Sequence, residues 1–174
     1  MTHFAVIGPS GAGKDTLMAA ALARRPELGI VRRVITRPSD AGGEDFEGVT
    51  PEVFARMLAE GRFLLHWDAH GLRYGLPREG FGEGPRLINL SRRMLAEAQR
   101  ILPDLQVIHV TARPDVLARR LAARGREDAA EVARRIARET GPLPDGLRVF
   151  PVDNSTTIEA ALDQFLAALD KVNS

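Results

Sequence analysis

A glycine-rich stretch near the start of the chain has residue types and spacing suited to binding phosphate. Gly8, Gly13 and Lys14 match the spacing G-x-x-x-x-G-K, between an apolar run at 4–7 and an apolar helical pattern at 17–22. Glycines let backbone N–H groups turn toward phosphate oxygens, the helix N-terminus adds partial positive charge, and the lysine reaches the β- and γ-phosphates. An ordinary strand-to-helix turn is the alternative, but the flanking patterns favour a nucleotide-binding loop. The predicted loop comprises Gly8, Pro9, Ser10, Gly11, Ala12, Gly13, Lys14, Asp15 and Thr16.

The choice of cation in this loop supports the same interpretation. The chain has 22 Arg and only 2 Lys, and one of these lysines is Lys14. A compact ammonium fits between phosphates where a planar guanidinium would not. The next position, where a hydroxyl residue normally contacts Mg²⁺, is Asp15 instead.

The composition limits the classes of protein to which the chain can belong. Its 174 residues suit one domain with a substantial core, and its 44% hydrophobic and 27% charged residues are normal for a globular protein. A formal net charge of +1 argues against nucleic acid or a membrane as a partner. The absence of Cys excludes disulfides and thiolate metal sites, and it fits a cytoplasmic location. We expect no transmembrane segment and no signal peptide, because no apolar run is long enough and the loop begins too early.

Predicted strands and helices alternate along the chain, which favours a three-layer α/β P-loop fold with a central parallel sheet. Phosphate groups should lie at the carboxyl ends of its strands. Pro151 implies an edge position for the last strand, and 156–159 matches a capping box that opens the C-terminal helix. The predicted strands are 4–7, 29–36, 63–67, 85–90, 105–110 and 147–152, with a turn and returning strand at 69–76. Predicted helices begin near 17, 51, 92 and 114, another runs through Val132 and Ile136, and the last follows the cap at Thr156.

Several separated segments resemble guanylate kinases, and the resemblance covers nearly the whole chain. It implies a single kinase domain, 1–174, whose core is 1–36, 81–119 and 139–174. It also implies an acceptor-binding insertion at about 37–80 and an Arg-rich lid at about 120–138. The matching residues, besides the loop, are Thr36-Arg37, 42–44, Phe63-Leu64, His70-Gly71, Tyr74-Gly75, Arg124-Gly125 and Arg135.

The chain departs from guanylate kinases where that family reads its base. Leu65 and Arg33 stand where the family has a Glu and a Ser that contact guanine. A second acceptor arginine aligns near Asp40, and the family's Asp-x-Asp is here Asn89-Leu90-Ser91. A pocket built to hydrogen-bond guanine should not lose these partners and still discriminate.

The chain is more similar to the ribose 1,5-bisphosphate phosphokinases, which share the guanylate-kinase fold. The similarity rests on Asp15 after the lysine, Asn89-x-Ser91-Arg92 and 124–127, with further matches at 35–37, 41–44, Trp67 and 71–75. This resemblance implies transfer of the γ-phosphoryl group of ATP to the 1-phosphate of ribose 1,5-bisphosphate. The products are 5-phosphoribosyl 1-diphosphate and ADP, ATP is the co-substrate, and Mg²⁺ is required.

The resemblance also assigns roles to individual residues. Lys14 and the loop N–H groups bind the β- and γ-phosphates, while Arg124 and Arg135 close on the transferring group from the lid; solvated basic side chains are the alternative for the lid. Arg120 and Arg126 are weaker lid candidates. Expected acceptor-binding residues are Arg37, Glu44, Tyr74, Asn89, Ser91 and Arg92, with Arg33 and Arg73 as secondary candidates that could equally be plain surface charges. Glu44 either accepts ribose hydroxyls or orients an arginine.

Asp15 is the predicted Mg²⁺ ligand, directly or through water, with Asn89 as its neutral partner. The alternative is that Asp15 only caps the first helical turn. His66, Asp68 and His70 alternate along one predicted strand and could imitate a metal triad, although the hairpin context argues against it.

Two competing functions stay open at the level of sequence. One is a guanylate kinase or another small-molecule P-loop kinase. The other is a non-catalytic guanylate-kinase-like binding module, which would have little reason to keep Lys14. We expect small molecules as the only substrates, and a monomer or homodimer.

Overall fold

The computed structural model describes residues 2–41, 44–123, 134 and 141–172. Within these residues, strands and helices alternate broadly as the apolar patterns predict. The strands are β1 (His3–Ile7), β2 (Gly29–Ile30), β3 (Val34–Ile35), β4 (Glu47–Gly48), β5 (Phe63–Ala69), β6 (Leu72–Pro77), β7 (Arg86–Asn89), β8 (Leu105–Thr111) and β9 (Arg148–Asp153). The α-helices are α1 (Lys14–Arg24), α2 (Pro51–Ala59), α3 (Leu95–Ile101), α4 (Pro114–Ala123) and α5 (Ile158–Asp170), and 3₁₀ turns cover Ser39–Ala41, Arg78–Gly80 and Arg92–Met94.

Five parallel strands form the central sheet in the order β2-β7-β1-β8-β9. The predicted α/β fold with a parallel sheet is therefore confirmed, and β9 is an edge strand, as Pro151 predicts. Val6 of β1 lies beside Asn89 of β7, and Ile7 lies beside His109 of β8. Because parallel strands end at the same edge of a sheet, these residues surround the start of the glycine-rich loop.

The central sheet is buried on both faces because β1 directs alternate side chains to opposite sides. Phe4 and Val6 pack into a core that helices α1, α4 and α5 complete. Ala5 and Ile7 pack into a second core with α3 and with residues of the smaller sheet. The sheet thus holds the loop between two well-packed layers.

A second, four-stranded sheet has the order β4-β3-β6-β5. Strands β5 and β6 form an antiparallel hairpin whose two turn residues, His70 and Gly71, have φ of 53° and 73°. Positive φ at both positions is what a tight two-residue hairpin turn requires. Helix α2 covers part of this sheet, and Thr50 caps it as predicted by accepting a hydrogen bond from Val53 N at 3.2 Å.

The predicted strand 29–36 is wrong as a single strand. Gly29–Ile30 pairs with the central sheet, whereas Val34–Ile35 pairs with the smaller sheet, and the chain crosses between them at 31–33. The apolar run is continuous because both parts are packed, each in a different layer. Two boundaries also move: 92–94 is a 3₁₀ turn rather than the first turn of α3, and Thr157 rather than Thr156 caps α5.

In the part of the chain that the structure describes, no helix combines the length and the apolar character needed to cross a membrane.

Candidate active site

The loop between β1 and α1 depends on glycines with positive φ. Gly8, Gly11 and Gly13 have φ of 151°, 84° and 89°. A Cβ atom on Gly8 would lie 2.1 Å from the backbone oxygen of Val110, and one on Gly13 would lie 2.5 Å from Asn154 Nδ2. The loop can therefore approach β8 and β9 this closely only with glycine at these positions.

Two side chains from distant parts of the chain hold the back of the loop. Arg120 of α4 donates to Gly11 O at 3.1 Å and to Asn154 O at 2.7 Å, and the buried Asn154 donates from Nδ2 to Ala12 O at 2.7 Å. In a planar trans peptide the carbonyl and the following N–H point in opposite directions. Because Asn154 holds Ala12 O at the back of the loop, the N–H of Gly13 is directed toward the front of the loop.

The front of the loop faces a cavity of about 340 Å³, called here the phosphate cavity. The loop and the start of α1 form one wall, the residues after β7 form another, and the smaller sheet faces both. Its lining residues are Pro9, Ser10, Gly11, Gly13, Lys14, Asp15, Thr16, Arg33, Glu44, Trp67, Ala69, His70, Tyr74, Asn89, Leu90 and Ser91. Gly8 and Ala12 belong to the loop but lie behind this surface.

Lys14 and Asp15 bring opposite charges to the phosphate cavity from the first turn of α1. Lys14 Nζ donates to Gly8 O across the loop. The Asp15 carboxylate accepts a hydrogen bond from Asn89 Nδ2 at 3.2 Å, so the structure brings together the two residues that the metal prediction pairs.

The pKa of the Asp15 carboxyl is raised above its usual value, even though the residue as a whole is exposed to solvent. Burial by surrounding atoms is the largest cause, and the nearby Glu44 carboxylate is the second. Lys14, Arg33 and the Asn89 hydrogen bond act in the opposite direction. The site therefore disfavours a bare negative charge on Asp15.

The wall that faces the loop consists of side chains. Arg33 donates to Glu44 through Nε, at 2.9 Å, and through Nη2, so the pair is bidentate. The Arg33 guanidinium lies 5.1 Å from the Tyr74 ring centre, and Tyr74 stacks on Trp67 at 5.4 Å with planes 6° apart. This contact is consistent with the second of the two roles considered for Glu44, orienting an arginine, and its acceptance of ribose hydroxyls stays a prediction.

Three of the predicted acceptor residues line the phosphate cavity alongside Glu44, and two do not. Tyr74, Asn89 and Ser91 line it. Arg37 instead lies over the Phe46 ring, 4.3 Å from its centre.

Arg92 is also outside the cavity lining. Its guanidinium donates to Gly141 O and lies 3.2 Å from His109 Nε2. This contact, together with burial, lowers the pKa of His109: burial is the larger cause, and the charges of Arg92 and Lys14 add to it. The secondary candidate Arg73 pairs with Asp68 at 3.4 Å, away from the cavity.

The predicted lid arginines Arg124 and Arg135, with the weaker candidate Arg126, lie outside the described residues. Arg120, the other weak candidate, holds the back of the loop as described above.

Comparison with known proteins identifies the family. No protein-family model matches the chain. Over 163 residues it is 55% identical to a protein named ribose 1,5-bisphosphate phosphokinase PhnN from Ruegeria sp. (strain TM1040), covering 91% of this chain and 86% of that protein. A protein of the same name from Brucella melitensis biotype 2 is 45% identical, covering 97% of this chain and 91% of that protein. The chain belongs to the ribose 1,5-bisphosphate phosphokinase family.

Among solved structures, this phosphokinase chain resembles a guanylate kinase from Anaplasma phagocytophilum, with a TM-score of 0.64. The match covers 98% of this chain and 85% of that one, at 18% identity. At this identity the likeness shows the fold alone. The predicted family and the predicted guanylate-kinase-like fold are thus both confirmed.

The residues of this phosphokinase fit a magnesium ion that is shared with substrate phosphates. Asp15 supplies one carboxylate whose negative charge the site disfavours, and the Asn89 amide and Ser91 hydroxyl line the same cavity. Mg²⁺ commonly takes one or two protein carboxylates and completes its shell with water and phosphate oxygens. Among the described residues no three His, Cys, Asp or Glu side chains form a metal cluster, so the alternative triad at 66–70 is not formed.

The sequence did not reveal the roles of Arg120 and Asn154 in this phosphokinase. Asn154 is one of only two polar residues that are buried among the described residues, the other being Asn89. Its bond to the loop joins positions 142 residues apart, so no local pattern could announce it. The available signal was a polar residue just after the edge strand β9.

Proposed function

We propose that the protein transfers the γ-phosphoryl group of ATP to the 1-phosphate of ribose 1,5-bisphosphate. An oxygen of the 1-phosphate attacks the γ-phosphorus, the bond to the β,γ-bridging oxygen breaks, and ADP leaves with the electron pair. The products are ADP and 5-phosphoribosyl 1-diphosphate. The observation that carries the proposal is the phosphate cavity, in which the glycine-rich loop faces the polar side chains of Arg33, Tyr74 and Ser91.

Phosphoryl transfer depends on positioning and charge neutralisation more than on covalent chemistry. Lys14 and the loop N–H groups hold the β- and γ-phosphates, since they line the same side of the cavity. Tyr74 and Ser91 contact the acceptor from the other walls. The insertion at about 37–80 thus carries acceptor-binding residues, and the lid at about 120–138 supplies Arg124 and Arg135.

Asp15, with Asn89 beside it, would hold Mg²⁺. A bound Mg²⁺ neutralises the charge that develops on the phosphate oxygens. Asn89 keeps the Asp15 carboxylate directed toward the cavity through its hydrogen bond. Arg37 and Arg92 join the acceptor site only if the insertion or the residues near 141 move, because neither lines the cavity as it stands.

We also propose that the protein acts in the cytoplasm as a monomer or homodimer, on small molecules alone. The lack of Cys and the near-neutral charge support this. Light scattering of the purified protein would determine the oligomeric state.

A coupled assay of ADP release tests the proposed reaction, with ribose 1,5-bisphosphate and GMP measured side by side. We expect turnover with the sugar bisphosphate and little with GMP. Preference for GMP would instead favour a guanylate kinase. No ADP release with either, or with other sugar phosphates and nucleotides, would favour a binding module without catalysis.

A further inference from the structure

Two ion pairs connect the same two short segments of the chain, yet they differ in exposure. The side chains of Arg33 and Glu44 are only 12% and 16% exposed. The neighbouring pair of Arg32 and Asp45, with 3.1 Å between Nε and Oδ1, is 54% and 86% exposed. An exposed ion pair contributes little to stability. A buried pair loses the hydration of both charges, and this cost is offset only when the geometry of the pair and its further hydrogen bonds are good.

The buried pair is held in one orientation. Glu44 engages two nitrogen atoms of Arg33, and the guanidinium lies against the face of Tyr74, which itself stacks on Trp67. A guanidinium has five N–H donors, and Glu44 uses two of them. Three N–H groups of Arg33 are therefore not used by Glu44, on a side chain that lines the phosphate cavity.

The same pair stands at the boundary of a second space. A cavity of about 590 Å³, called here the side cavity, lies along α1 and the segment that follows β2. Arg33 and Glu44 line both cavities, on the side opposite α1. Asp15, Thr16 and Asn89 also line both. The side cavity has the apolar surface against which a planar base would pack. Its apolar lining residues are Met18, Ala19, Leu22, Ile30 and Val31.

We propose that the Arg33–Glu44 ion pair determines the acceptor specificity of this kinase. The pair separates the phosphate cavity from the side cavity, so a nucleoside monophosphate has no space for its base. The Arg33 N–H groups that Glu44 does not use bind the second phosphate of a sugar bisphosphate. This inference rests on the proposed function, because it concerns the acceptor of the same site.

A purely structural ion pair would behave differently from a specificity determinant. Removing a structural pair would change the free energy of unfolding and would change kcat/KM for all acceptors by the same factor. Removing a specificity determinant changes the ratio between acceptors. The informative readout is therefore the ratio of kcat/KM for ribose 1,5-bisphosphate to kcat/KM for GMP, together with the Kd of GMP from calorimetry.

The test compares the double variant Arg33→Ala/Glu44→Ala with the control Arg32→Ala/Asp45→Ala. Both remove one whole ion pair between the same segments, so neither leaves a single charge unpaired. We expect the ratio to fall by about tenfold or more in the first variant, which equals about 1.4 kcal/mol. GMP should bind it more tightly than it binds the native protein. The control should stay within about twofold of native.

A second variant, Arg33→Met/Glu44→Leu, keeps the volume of the wall while removing its charges. We expect it to bind ribose 1,5-bisphosphate less well but still to exclude GMP. It also provides a test if the alanine variant does not fold. For the alanine variant, a ratio and a GMP Kd unchanged from native in folded protein would overturn the proposal. If only the methionine–leucine variant folds, unchanged binding of ribose 1,5-bisphosphate would overturn it.

Failure of the proposed function would be visible separately. If native protein releases ADP with neither acceptor, the proposed reaction is wrong. Calorimetry with GMP still tests the wall without turnover: GMP binding to the alanine variant but not to native protein supports the wall, and equal binding contradicts it.

Discussion

The two sides of the phosphate cavity are built from different parts of the chain. On one side, backbone groups of the glycine-rich loop face the cavity, and Arg120 and Asn154 hold the loop carbonyls from behind. On the other side the surface is made of side chains, with Arg33, Glu44 and Tyr74 forming one packed group. A backbone site depends on glycine conformations that few substitutions preserve. A side-chain wall can change its substrate through single substitutions while the shared fold keeps its phosphate chemistry.

The largest effect on kcat/KM should come from the loop side, where Lys14 is expected to neutralise charge on the transferred phosphoryl group. We expect Lys14→Ala to lower kcat/KM by a factor of about 10² to 10³, because it removes a cation from the developing charge. Lys171→Ala is the matched control, since Lys171 is the other lysine and is exposed after α5. Steady-state kinetics of both variants measure the difference. Equal activity of the two would show that the loop does not bind the phosphates as described.

Next in size should be the loss of the support behind the loop. Asn154→Ala leaves buried Ala12 O without its donor at 2.7 Å, so we expect a cost of about 1–3 kcal/mol in the free energy of unfolding. KM for ATP should rise more than KM for the acceptor, because only the loop side is disturbed. The control is Gln164→Ala, which removes an exposed amide of α5 that bonds the backbone of Asp153 at the end of β9. Urea unfolding and kinetics measure both effects, and equal changes in the two KM values would contradict the role given to Asn154.

The metal assignment lies where the two sides meet. We expect Asp15→Ser to raise the Mg²⁺ concentration for half-maximal turnover by about tenfold, because substitutions around a metal typically lower its affinity by about this factor or more. Asn89→Asp, added to Asp15→Ser, should restore much of this because it returns a carboxylate to the same hydrogen-bonded position. Binding of Mn²⁺ with ATP, measured by electron paramagnetic resonance, provides a readout independent of turnover.

The metal assignment has a clear failing outcome. If Asp15→Ser leaves both the Mg²⁺ dependence and the Mn²⁺ binding unchanged, then Asp15 serves only the first turn of α1. The Asn89→Asp single variant completes the set, since it shows whether an added carboxylate alone changes the metal dependence.

Much of the fold could be predicted because its signals are local. The glycine spacing, the hairpin at 63–76 and the cap at Thr50 each depend on a few neighbouring residues, and the structure contains all three. The run 29–36 shows the limit: burial makes it apolar throughout, but nothing in the run indicates that it changes sheets after Ile30. The predicted cap of α5 was wrong by one residue, because the adjacent Thr156 and Thr157 offer the same hydroxyl group.

The candidate site was only partly predictable, because its arrangement depends on contacts across the chain. Glu44 and Arg33 were both noted, but their pairing requires the segment around 44 to fold back on the segment around 33. Arg37 was assigned to the acceptor site by resemblance to the family. Its position over the Phe46 ring depends on tertiary packing, which a match of sequence motifs does not reveal. Residue types therefore indicated the chemistry, and tertiary contacts determined which side chains reach the cavity.

The smallest expected effect concerns pH and the strand beside the loop. Because burial lowers the pKa of His109, the unfolded chain binds more protons than the folded one as the pH falls through about 6.5. Stability should therefore decrease with falling pH, and His109→Asn should reduce this decrease. Burial also lowers the pKa of His3, so part of the pH dependence should remain in this variant. Unfolding at pH 7.5 and 5.5 tests this, with exposed His66→Asn as the control, and an unchanged pH dependence in His109→Asn would contradict it.

The most direct test of the account lets both acceptors compete for the native enzyme. Equal concentrations of ribose 1,5-bisphosphate and GMP are incubated with the protein, ATP and Mg²⁺, and the products are followed by ³¹P NMR. The account predicts a new diphosphate attached to the sugar C1 carbon, formed in step with ADP, and little GDP. Formation of GDP in preference to the sugar diphosphate would contradict it.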